Sequence, residues 1–342
     1  MEVFMSLTIY DISEKAGVSI ATVSRVLNGS SKVKESTRKK IMDIIDEYGY
    51  TPNSSARAMG LKSMKTIGIL CADSSDIFLA KAVYYLEQNL QARGYESLLC
   101  CTGYNQASRA NYINLILSKK VDGLILVGSN FIGSTEEENQ YISDCSHKVP
   151  VMILNASYPH DNVYSIYCDD LNSVYRATTE MLNSGITDIL YLYQALSYSG
   201  RKKLDGFRMA MQSQKIAGYE DLICRIPDNL DNMEKIAGFI HEFAAKGRKF
   251  HGVIAADDEL AIAAVKYAQK NQLDIPGDLS IIGYNNSILT GCCTPELTSI
   301  DNQLETLTRT LVRTLIGVLS GQDMPQETVF SGTLVKRNTT DF

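Results

Sequence analysis

From Thr66 onward this 342-residue chain alternates short, continuous apolar runs with longer amphipathic stretches, a rhythm that few folds tolerate. The runs TIGILCA, ESLLCC, DGLILVG and PVMILNA are separated by stretches such as FLAKAVYYLEQNLQARGY. A second series begins with SIYCDD and continues through DILYLYQA, LICRI, FHGVIAADD and LSIIGYN. A strand that is apolar on both sides has to be covered on both faces, as in parallel sheets joined by crossover helices. Two such series predict two doubly wound lobes, and ligands of such sheets bind beyond the carboxyl ends of the strands. The length exceeds what one core usually sustains, so more than one domain is expected.

Ahead of that body, residues 8–28 read TIYDISEKAGVSIATVSRVLN. Thr8 with Asp11 three residues later is a capping-box start, Ile9, Ile12 and Ala16 give an inward face, and Gly17 permits a turn. Ser19 is a good N-cap for a second helix whose Val23, Val26 and Leu27 pack against the first. That leaves Ile20, Ala21, Thr22, Ser24 and Arg25 outward. Apolar Ile20 and Ala21 suit thymine methyls, and Arg25 can fork onto guanine, so the pair reads as a helix-turn-helix for the major groove. A third helix is predicted from about residue 34 to 48, with Ile41, Ile44, Ile45 and Tyr48 on one face and Gly49 as its stop. The plain alternative is a three-helix cap with no role on DNA.

Net charge is −6, which at first argues against nucleic acid. Its distribution reverses that: residues 1–65 hold ten Lys/Arg against seven Asp/Glu, so the acidic excess lies entirely in the body. Of eight cysteines none forms a C-x-x-C, and the four histidines are not spaced with them as zinc ligands, so buried free thiols are expected and no metal or cofactor. No P-loop, G-x-S-x-G, G-x-G-x-x-G or H-E-x-x-H occurs, and Asp257-Asp258-Glu259 at a helix start do not face one reacting atom, so catalysis is not expected. No apolar run is long enough for a membrane span and no signal-peptide core is seen, which points to the cytoplasm and away from an exported solute-binding protein.

The segments TIYDISEKAGVSIATVSRVLNGS, VKESTRKKI and YTPNSSARAMG closely resemble the head and hinge of the LacI/GalR family of bacterial regulators. The resemblance continues through TIGIL, VDGLIL, ADDELA, LSIIGYNN and LVKRNTT, and so covers essentially the whole chain. Its head is most similar to the catabolite-control branch. The resemblance implies an all-α helix-turn-helix domain over residues 1–51, a hinge helix and linker over 52–65, and a two-lobed periplasmic-binding-protein-like body over 66–342. It divides the body into a first lobe of about 66–164 and 296–322 and a second of about 165–295 and 323–342. It implies base reading by Ile20, Ala21 and Arg25 and backbone contacts from Thr8, Ser19, Thr22, Ser24, Asn28, Thr37, Tyr50 and Asn53. In the hinge, Ala56 and Met59 would meet the minor groove, with methionine at the apolar wedge position. Propensity alone reads the same segment as a linker, and a linker can fold on DNA.

For the body, the resemblance implies an effector cleft lined by Phe78, Ser129, Asn155, Lys203, Asp257, Asn285 and Asn302. Asn155 and Asn285 stand where carboxylates are usual, Asn302 where glutamine is, Lys203 where arginine is, and Asn229 where many sugar binders carry an aromatic. Asn and Lys hold hydroxyls less firmly than Asp and Arg. Two readings therefore stay open: a small-molecule effector such as a sugar, or a phosphocarrier protein as corepressor. Either way a cytoplasmic bacterial homodimer on a near-palindromic operator is implied, associated with the nucleoid when bound.

Overall fold

The structure, a computed structural model, describes residues 8–27, 30, 32–50, 63–230 and 232–342. It comprises two units, Met1–Met64 and Lys65–Phe342.

In the first unit, α1 (Ile9–Ala16), α2 (Ile20–Leu27) and α3 (Glu35–Tyr48) pack around Ile12, Ala16, Val23, Val26, Ile41 and Ile45. Five of the six are valine or isoleucine, whose burial contributes about 1.5–3 kcal/mol each. The Thr8–Asp11 capping box forms in both directions. Gly17 closes α1 at φ +64°, a left-handed conformation that costs glycine nothing. One expectation is corrected. Tyr48 does not join the core face; it is exposed, with the Lys15 ammonium 4.5 Å above its ring. At the last turn of α3 the amphipathic solution for a tyrosine is a wet edge and a cation on its face.

The second unit holds two parallel sheets. The chain first lays down β1 (Thr66–Cys71), α4 (Ile77–Gln91), β2 (Glu96–Cys101), α5 (Gln106–Ser118), β3 (Gly123–Val127), α6 (Glu136–Ser146), β4 (Val151–Leu154) and β5 (Val163–Cys168). It continues as α7 (Asp170–Asn183), β6 (Ile189–Tyr193), α8 (Tyr198–Ser213), β7 (Ile223–Arg225), α9 (Met233–Ala245), β8 (Gly252–Ala255), α10 (Asp258–Lys270), β9 (Ser280–Tyr284) and β10 (Thr298–Asp301). It ends with α11 (Leu304–Leu319), β11 (Glu327–Phe330) and β12 (Thr333–Val335). The first sheet runs β11-β5-β4-β3-β1-β2 and the second β12-β10-β9-β8-β6-β7, with β12 alone antiparallel to its neighbour. Each sheet carries an apolar cluster on both faces, as its uninterrupted apolar strands require.

The expected lobe boundaries are corrected by the pairing. Strand β5 was expected to open the second lobe, but it hydrogen-bonds to β4 in the first sheet. Residues 298–301 pair in the second sheet rather than the first, and 327–330 in the first rather than the second. Apolar periodicity marks a strand without saying which sheet adopts it; the crossover follows β5 instead of preceding it. The three links between lobes, after Cys168, Asp301 and Phe330, are tied together. Asp169 N–H donates to the Phe330 carbonyl at 2.8 Å, Gln303 Nε2 to the Ser331 carbonyl at 2.7 Å and Arg176 Nη2 to the Gly332 carbonyl at 2.8 Å. Helices α7 and α8 approach so closely at Gly206 that a Cβ there would lie 2.2 Å from the Leu171 carbonyl oxygen.

Candidate functional site

Two surfaces gather the predicted residues. On the first unit, α2 exposes Ile20, Ala21 and Arg25, while Thr22 and Ser24 are half-buried beside them. Ser19 Oγ accepts the Thr22 N–H at 3.3 Å and contacts Thr22 Oγ1 at 2.9 Å, so the start of the helix is fixed by its own side chains. Thr8 caps α1 and remains exposed; Thr37 and Tyr50 are half-buried. No ion pair among the described residues engages the Arg25 guanidinium. Asn28, Asn53, Ala56 and Met59 lie outside the described residues.

On the second unit the strand ends of the two sheets supply a polar cleft. Helix caps place its acids: Asp76 Oδ1 accepts the Leu79 N–H of α4 at 2.8 Å, and Asp257 Oδ1 accepts the Leu260 N–H of α10 at 2.8 Å. Each acid commits one oxygen to its helix and keeps the other. Ser129 Oγ, from the first lobe, donates to Ser197 Oγ of the second at 2.8 Å, a direct bridge between lobes. Asn302 Nδ2 donates to Asn285 Oδ1 at 3.0 Å. The Oδ1 atoms of Asn155 and Asn302 are buried without a partner, leaving two acceptors for a donor from outside.

Three of the seven predicted effector residues line two cavities, and Ser129, Asn155, Lys203 and Asn302 line neither. Phe78 and Asn285 line one of about 780 Å³ with Tyr84, Tyr85, Ile288 and Leu304. Asp257 lines another of about 900 Å³ with Glu259, Asp228, Gln194, Leu230 and Met233. Both lie within the roughly 300–1,000 Å³ typical of small-molecule sites. Lys203 is buried; its Nζ donates to the Ala256 carbonyl at 2.8 Å and lies 3.6 Å from the centre of the Tyr284 ring. It acts on the loop that carries Asp257.

Burial pushes the carboxyls of Asp257, Asp76, Asp258 and Asp170 up, and pushes the Lys203 ammonium down. The fields of Asp170 and Asp257 partly hold Lys203 charged. Sequence reasoning missed three members of this set. Glu259 is raised to about 6 by burial and then by Asp257 and Asp76, so it feels the acid of the facing lobe. Asp170 receives the Tyr284 hydroxyl, and its only signal was an Asp pair following a strand. Ser197 was hidden in a polar turn.

A prediction follows from Glu259. A carboxyl that titrates near 6 when folded and near its ordinary 4.5 when unfolded takes up a proton on folding, so its contribution to stability is full at low pH and is lost as pH rises through about 6. Glu259→Gln is expected to raise the melting temperature at neutral pH and to flatten its climb between neutral and mildly acidic solution. A variant whose melting temperature follows the wild-type pH curve would show that Glu259 is ordinarily solvated.

A capped helix pair with an apolar-and-arginine outer face, followed by two doubly wound lobes around an acceptor-rich cleft, defines a DNA-binding transcription regulator with a periplasmic-binding-protein-like body. Residues 8–53 match the model of bacterial regulatory proteins of the lacI family, and residues 178–340 match the periplasmic binding protein-like domain. The chain is 47% identical to an HTH-type transcriptional regulator of Lachnoclostridium phytofermentans, over 98% of this chain and 100% of that one. It is 30% identical to the catabolite control protein A of Priestia megaterium, over 86% of this chain and 87% of that one. Among solved structures, the Lac repressor dimer bound to operator and the anti-inducer ONPF aligns with a TM-score of 0.86 at 23% identity, covering 98% of this chain and 99% of that one. The CelR–cellobiose complex aligns at 0.70 and 22%, covering 98% and 100%. The chain belongs to the lacI family of bacterial regulatory proteins.

Proposed function

We propose that this regulator is a repressor that binds a near-palindromic operator as a homodimer and is controlled by a small molecule, a sugar or related metabolite, in the cleft between its lobes. The observation that carries the reading is the α2 face: Ile20, Ala21 and Arg25 are exposed on a helix whose own core and caps already hold it, so they are free for base edges. Ile20, Ala21 and Arg25 read bases, while Thr8, Ser19, Thr22, Ser24, Thr37 and Tyr50 position the unit on phosphates. A dimer is supported by edge strand β2, which exposes Leu98 and Leu99. The Lac repressor was captured as an operator-bound dimer and CelR with cellobiose, which support the symmetry and the ligand class. The ligand moves the equilibrium only by its difference in affinity between lobe arrangements. Such a protein acts in the cytoplasm, on the nucleoid, as a binder and not as an enzyme. Among the described residues no helix is long and apolar enough to cross a membrane.

A second reading, a phosphocarrier protein as corepressor, is favoured by the groove of Phe78, Tyr84, Tyr85 and Ile288 beside Lys81, which has the apolar-plus-cationic character of a protein-docking surface. One experiment separates them. The full chain is screened against a metabolite library by thermal shift, and hits are tested for their effect on operator affinity. A metabolite that raises the melting temperature and shifts operator binding supports the first reading. Silence across the library, together with operator binding enhanced by a phosphocarrier protein, supports the second.

A further inference from the structure

All eight cysteines are free thiols, and their exposure separates them: Cys71, Cys145, Cys168 and Cys224 are buried, Cys100 and Cys293 are half-buried, and Cys101 and Cys292 are exposed. Two of them meet. Cys71 ends β1 and Cys101 ends β2, they are register partners in the parallel pair, and their sulfurs lie 3.8 Å apart. Cys100 turns to the opposite face of the sheet, where it packs against the cluster that includes Leu70 and Ile113. Neighbouring strands are about 4.7–4.9 Å apart. That lies inside the Cα separation of about 4.4–6.8 Å that a disulfide spans, so side-chain rotation closes the gap between the sulfurs.

We propose that Cys71 and Cys101 form an oxidisable dithiol, a modification site at which hydrogen peroxide installs a disulfide between β1 and β2. The exposed Cys101 thiolate attacks peroxide, the O–O bond breaks, and Cys101 becomes a sulfenic acid with release of hydroxide. Cys71 gives its proton to that hydroxide, forming the first water, and its thiolate attacks Cys101 Sγ; the S–O bond breaks, the S–S bond forms, and the departing hydroxide takes up the proton that Cys101 released, forming the second water. Two thiols give up two electrons, and one peroxide is reduced to two waters. Burial and the neighbouring Cys101 push the Cys71 thiol up to about 12, so Cys71 stays protonated toward peroxide and the first attack falls to the exposed Cys101.

The site lies where it matters for the cleft. Thr102 N–H donates to the Cys71 carbonyl and Gly103 N–H to the Ala72 carbonyl, both at 2.9 Å, so the loops leaving the two strands start tied together beside the thiols. One loop carries Asp73 and Asp76, and the other Tyr104, whose hydroxyl feels both acids. Because Cys101 is exposed, a disulfide there is open to attack by a reducing thiol, as labile regulatory disulfides are.

The test uses the full chain, reduced and then titrated with hydrogen peroxide. Intact mass, free-thiol counts and peptide mapping under non-reducing conditions are followed for wild type, Cys101→Ser, Cys71→Ala and Cys100→Ser. Expected are the loss of two hydrogens, a link between the β1 and β2 peptides, and its reversal by dithiothreitol. Cys101→Ser and Cys71→Ala abolish the link, whereas Cys100→Ser keeps it. Because Cys101 is exposed, its serine variant folds and carries the result even where Cys71→Ala does not. Oxidation of Cys101 to sulfinic acid without a link, a Cys100–Cys101 bond, or a Cys101 bond between two subunits would each overturn the proposal.

Discussion

Replacing Arg25 by alanine is expected to weaken operator binding by about 1–3 kcal/mol and to relax base preference at one operator position. Arg25 is exposed at the last turn of α2, one turn beyond Ala21, and no carboxylate among the described residues competes for it. A guanidinium so placed can make two parallel hydrogen bonds to guanine, and losing both forfeits discrimination as well as affinity. The alternative is a phosphate contact. In that case affinity falls almost uniformly over all sequences and the slope of log K against log salt drops by about 1. Binding-site selection combined with a salt titration separates the outcomes: unchanged specificity with a shallower slope removes Arg25 from base reading. The core of the first unit does not involve this side chain, so its melting temperature should not move.

How much of this was legible in the sequence depends on the range of the interaction. The helix pair was legible almost residue by residue because its signals are local: a cap three residues from its partner, a glycine in the turn, apolar positions one turn apart. The sheets were legible as strands but not as partners, since pairing β5 with β4, β10 with β9 and β11 with β5 is a choice among equally apolar runs made by tertiary packing. Asn155, Asp257, Asn285 and Asn302 do follow the carboxyl ends of strands, because those ends are legible in the apolar pattern alone. That pattern did not foresee that Lys203 would turn inward, nor that Glu259 would feel an acid of the other lobe. The first is set by packing inside the second lobe, against Ala256, Tyr284 and Asp170, and the second by how the two lobes face each other.

The inward turn of Lys203 leads to the largest expected effect on stability. Lys203→Met should cost the body about 3 kcal/mol near neutral pH, the lower end of what removing one member of a buried charge set costs. Methionine nearly preserves the volume, so the loss reports charge and hydrogen bonding more than a cavity. Three interactions go at once: the 2.8 Å bond to the Ala256 carbonyl, the ammonium 3.6 Å over the Tyr284 ring, and the attraction to Asp170 and Asp257. Asp170 then stays buried with the Tyr284 and Ser199 hydroxyls beside it and without the cation that held it charged. Its carboxyl, already raised by burial, rises further, and a carboxyl protonated on folding regains stability as pH falls. The deficit of the variant should therefore shrink as pH falls below neutral, which a simple packing defect would not do. Urea unfolding at several pH values measures it. A deficit under about 1 kcal/mol, the range of exposed pairs, would mean that water reaches Lys203. A larger deficit that stays constant with pH would mean that its methylenes, and not its charge, hold the loop of Asp257.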